Sequence, residues 1–100
     1  MVLLSLSHIQ GNPSQGCNGW GITVLEGCPY SIDKELPAPP KPSEGCCTLV
    51  RVIGMKCVCE IINKGIEAAI DMQKLVKVAA DCGRPLAHGS QCGSYRVPSV

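Results

Sequence analysis

The sequence predicts an all-α domain held together by disulfides, and three observations lead there. Eight cysteines in 100 residues are an even number at the density where cross-links replace a missing core, which makes an oxidising, extracellular compartment the expectation. Cys46, Leu49, Val50, Ile53 and Cys57 stand at i, i+3, i+4, i+7 and i+11, the spacing of a helix buried along one face. The same period returns at Met72, Leu75, Val76 and Ala79. A chain of 10.5 kDa has room for one small core. With Trp20, Tyr30 and Tyr95 as its aromatics and no Phe, that core must be aliphatic. Nine basic and eight acidic residues are scattered without a run of like charge, so nucleic acid is not an expected partner.

The elements follow in chain order. Residues 1–11 form a leader outside the domain. Its "MVLLSLS" reads equally as the end of an apolar signal segment, with Ser5 and Ser7 as before a cleavage site, or as a truncated or misassigned start with a disordered leader, and is too short to span a membrane. Residues 12–100 form the domain. Between Cys17 and Cys28, "NGWGITVLEG" has weak local propensity, so a helix over 20–28 would depend on cross-links. Residues 33–44 carry four prolines and read as an extended linker of polyproline character.

The central stretch "GCCTLVRVIGMKCVCE" is expected to be one continuous hub helix over 45–60. Ser43 is its N-cap, Glu44 suits the helix dipole, and Gly54 is a tolerated cost. Adjacent cysteines on a helix point about 100° apart and those of a CxC about 200° apart. Each of the four therefore serves a different partner. Asn63 and Gly65 separate a short helix carrying Ile62, Ile66, Ala69 and Ile70 on one face. Asp71 caps the next helix, which Gly83 ends. The tail after Cys92, "GSYRVPSV", reads as a loop.

The order C, C, CC, CxC, C, C with gaps of 10, 17, 9, 22 and 9 residues resembles the eight-cysteine motif of plant non-specific lipid transfer proteins. It is most similar to the branch that includes the defective-in-induced-resistance proteins. The resemblance implies a compact four-helix bundle around an apolar tunnel that accepts fatty acids or lysophospholipids, in a monomer secreted to the apoplast. With apolar Val58 inside the CxC, it also implies the pairs Cys17–Cys57, Cys28–Cys46, Cys47–Cys82 and Cys59–Cys92. The expected tunnel lining is Leu25, Leu49, Val50, Ile53, Ile62, Leu75, Val76 and Ala79. The polar head-group clamp of the resembling branch does not carry over, because Gly21 and Leu25 stand near its places. Arg51, on the hub helix, and Tyr95 with Arg96, in the tail, are the substitute groups at a tunnel mouth. Two overlapping PxxP matches, Pro37 to Pro40 and Pro39 to Pro42, offer a site for a protein partner.

Other readings stay open on the residues alone. The apolar stripes equally fit helices that pack directly on each other. CC and CxC also occur in metal proteins. Catalysis is not expected, since it needs a nucleophile and a base within reach and the histidines are only His8, in the leader, and His88, in a Gly-rich loop. No catalytic residue, cofactor or metal ligand is assigned. Eight-cysteine helical folds also include inhibitors of digestive hydrolases.

Overall fold

A computed structural model describes residues 16–37 and 41–98. They form five helices and a hairpin: α1 (Gly21–Gly27), α2 (Glu44–Ile53), α3 (Met55–Ile61), α4 (Lys64–Ala69), α5 (Met72–Asp81), β1 (Gln91–Cys92) and β2 (Tyr95–Arg96). The leader lies outside the described residues, as do Pro39 and Pro40 of the proline-rich linker.

The hub is two helices rather than one. Ser43 caps α2 as expected, its Oγ accepting from the Cys46 amide at 3.1 Å. Gly54 then takes φ 92° and ψ 148° and is at once the C-cap of α2 and the N-cap of α3. That extended conformation at positive φ is closed to residues with a Cβ, so the glycine re-aims the chain and does not merely weaken a helix. The break turns an expected four-helix bundle into five helices and divides the anchors, Cys46 and Cys47 on α2 and Cys57 and Cys59 on α3. All eight cysteines are bonded, as Cys17–Cys57, Cys28–Cys46, Cys47–Cys82 and Cys59–Cys92, the same pairs that the eight-cysteine resemblance implies.

α1 begins and ends in glycine and has no side-chain N-cap, yet it buries Val24 and Leu25 because a bridge grips each end. Its approach to α3 needs Gly21, where a Cβ would stand 2.2 Å from the Cys57 carbonyl oxygen. α5 starts at Asp71, whose carboxylate accepts from the Lys74 amide. It ends at Gly83 with φ 84° and a bond from the Arg84 amide back to the Ala79 carbonyl, a Schellman-type stop. Its core stripe is Met72, Leu75, Val78 and Ala79. Val78 occupies the buried place that the periodicity had given to Val76, which is half-buried.

α4 has no fully buried residue and is held by polar ties. Asn63 caps it through the Ile66 amide, Lys34 donates to the Ala68 carbonyl at 2.8 Å, and Glu67 receives both the amide and the hydroxyl of Ser94 at 2.8 and 2.7 Å. The start of the linker is fixed as well. Lys74 donates to the carbonyls of Asp33 and Leu36, and Asp33 bridges to Ile70.

The tail expected as a loop contains the antiparallel hairpin, with Cys92 opposite Tyr95 and Gln91 opposite Arg96. The Cys59–Cys92 bridge and the Ser94–Glu67 bonds tie it to α3 and α4, a support that short strands do not reveal in sequence. The core is one aliphatic cluster whose most deeply buried members include Leu75, Val24, Val50 and Val58.

Two outcomes follow. A Cβ on Gly54 would meet nothing within 4 Å, so Gly54→Ala isolates the backbone term. It should lower stability by on the order of 1–3 kcal/mol, read from the denaturant midpoint with the bridges intact. The amide and then the hydroxyl of Ser94, helped by nearby Lys64, hold the Glu67 carboxyl below the usual carboxylate range. A carboxylate whose folded pKa is depressed stabilises fully above its unfolded value and loses that contribution as pH falls through the folded one. The Ser94 amide resonance should therefore titrate with a midpoint below that of a free glutamate, and Glu67→Gln should abolish the titration.

Candidate lipid-binding groove

α2 carries apolar side chains on two faces. Cys46, Cys47 and Val50 turn into the core. Leu49, Val52 and Ile53, at i, i+3 and i+4, form a second stripe, in which Leu49 and Ile53 are half-buried at the edge of the core and Val52 is exposed. Opposite them α1 presents Trp20 and Thr23 one turn apart, with Cys57 of α3 closing the end. The result is a groove of about 380 Å³ lined by Gly16, Trp20, Thr23, Leu49, Val52, Ile53 and Cys57. No charged residue lines it among the described residues, and Thr23 supplies its one side-chain hydroxyl. Its volume falls within the range of small-molecule pockets.

The position of the groove's walls is fixed covalently. α1 is anchored to α3 by Cys17–Cys57 and to α2 by Cys28–Cys46, so it cannot slide along them. Trp20 and Val52 remain 55% and 76% exposed, large apolar surfaces left in water at the rim.

The residues expected to line a tunnel are divided among three places. Leu49 and Ile53 are in the groove. Val50, Leu75 and Ala79 are fully buried against one another in the core, joined by Leu25 and Ile62. Val76 lines a separate hollow of about 240 Å³ with Leu86, His88 and Val97. Arg51 points elsewhere, donating to the Cys82 carbonyl at 3.0 Å, where a cation suits the C-terminal end of α5. Tyr95 packs half-buried on the core, and Arg96 donates to the Gly89 carbonyl. Neither comes to the groove.

Trp20, Thr23, Val52 and Cys57 were not among the expected site residues. The Leu49–Val52–Ile53 spacing was the available signal for one wall. Nothing local marks α1 as the other.

A family model described as probable lipid transfer matches residues 1–92. The chain belongs to that family. No curated protein and no solved structure matches it. Lipid transfer in the general sense of the family is thus its role. No helix among the described residues is long and apolar enough to cross a membrane.

The glycines of α1 set the groove's width. A Cβ on Gly21 meets backbone, whereas one on Gly27 meets the Cδ1 of Leu49, a side chain that can turn. Gly21→Ala should therefore cost about 1–3 kcal/mol by overpacking and Gly27→Ala less, compared by urea midpoints of the oxidised proteins.

Proposed function

We propose that this protein carries single-chain lipids, fatty acids or lysophospholipids, outside the cell, with the acyl chain lying in the groove between α1 and α2–α3. The supporting observation is the groove itself, uncharged among its described residues, walled by Trp20, Leu49, Val52 and Ile53, in a chain of the lipid transfer family. Transfer of each methylene from water is worth about 0.8 kcal/mol. Ten methylenes contribute roughly 8 kcal/mol before ordering costs, which leaves affinity on the micromolar scale or weaker. An open groove suits exchange, since a chain leaves without the core unfolding. Four disulfides support an extracellular setting.

Displacement of a fluorescent fatty-acid probe from oxidised, delipidated protein tests the reading. Saturable binding should appear at micromolar lipid. Ile53→Asp should weaken it at least tenfold, because a carboxylate in the groove would be desolvated without a partner. Val76→Asp and Arg51→Ala should leave it nearly unchanged, since neither side chain reaches the groove. No saturable binding at tens of micromolar, or equal loss from Val76→Asp, would overturn the assignment.

A further inference from the structure

The seam between α1 and α2 has a second opening. One helical turn beyond Thr23, about 6 Å along α1, lies a cleft of about 210 Å³ bounded by Gly27, Tyr30, Ser31, Lys41 and Ser43. Its chemistry differs from that of the groove. Lys41 is the one charged residue on its described wall, and the adjacent Glu44 does not line it. Ser43 is committed to capping α2. Among the described residues the Lys41 ammonium, the Ser31 hydroxyl and the Tyr30 hydroxyl have no hydrogen-bond partner.

Leu49 and Gly27 meet where cleft and groove approach each other. Leu49 lines the groove, and its Cδ1 lies 2.2 Å from where a Cβ on Gly27 would stand. Gly27 in turn lines the cleft, beside the Cys28–Cys46 bridge. At that contact a rotatable side chain rests on bare backbone.

We propose that this cleft is the head-group subsite for an anionic single-chain lipid, a carboxylate or a phosphate monoester, whose chain lies in the groove. Lys41 faces the anion, the hydroxyls of Ser31 and Tyr30 donate to its oxygens, and the first methylenes pass over Leu49. This rests on the reading of the groove as the acyl site.

The test is displacement of the same probe by hexadecanoate, hexadecyl phosphate and hexadecanol, at about pH 8 where a carboxylate is ionised, with and without added salt. The oxidised protein should bind one or both anions about two- to fivefold more tightly than the alcohol, the scale of a partly exposed ion pair. Added salt should shrink that preference. Lys41→Glu should remove or reverse it, and Lys41→Arg should keep it. Lys41 is exposed, so these replacements leave the core intact. An anion-to-alcohol ratio in Lys41→Glu equal to that of the unmodified protein, or no preference in the latter, overturns the subsite while alcohol binding still upholds the groove. Failure of all three ligands to bind overturns both.

Discussion

Four sulfur atoms on two consecutive short helices hold this molecule in shape. Through them α2 fastens the end of α1 and the end of α5, and α3 fastens the entry to α1 and the hairpin. Each bridge is worth roughly 2–4 kcal/mol, a large share of the net stability of any small domain. That reserve lets the chain do without strong local structure. α1 is bounded by glycines and α4 has no fully buried residue. It also frees apolar side chains from core duty. Val52 can remain exposed, and Leu49 and Ile53 half-buried, because folding does not depend on burying them fully.

Local chemistry carried much of the architecture into the sequence. Ser43, Asn63 and Asp71 each have a side-chain oxygen that meets an amide three residues on, and Gly83 stops α5 in the left-handed region. Such signals are complete within a few residues. The Gly54 break is different in kind. A glycine inside a helical pattern is compatible with both a weakened helix and a break, and Cys57 and Cys59, beyond the break, are bonded to partners far away in sequence. The hairpin is likewise a tertiary product, since Gly93 fits between Ile62 and Glu67 only because it lacks a Cβ.

The groove was half legible for a related reason. Periodicity shows that Leu49, Val50 and Ile53 share an apolar sector, but that sector is wide enough to meet two neighbours. Val50 is fully buried in the core, while Ile53 lines the groove and Leu49 lines it beside Gly27 of α1. Which side is covered depends on where α1 is pinned, and that is long-range information. Arg51 shows the same limit for a polar residue. Its basic character was plain in the sequence, whereas its acceptor, the carbonyl of Cys82, lies 31 residues away.

The two anchors of α1 lie on opposite sides of the Gly54 break, Cys57 beyond it and Cys46 before it. α1 therefore acts as a strut that closes a triangle with α2 and α3. A pair of rods joined at a corner can fold or open, but a third rod fixed to both removes that degree of freedom. The groove lies along this braced frame, so its backbone span stays constant and its width changes only with the rotamers of the side chains that line it, above all Leu49, Val52 and Trp20.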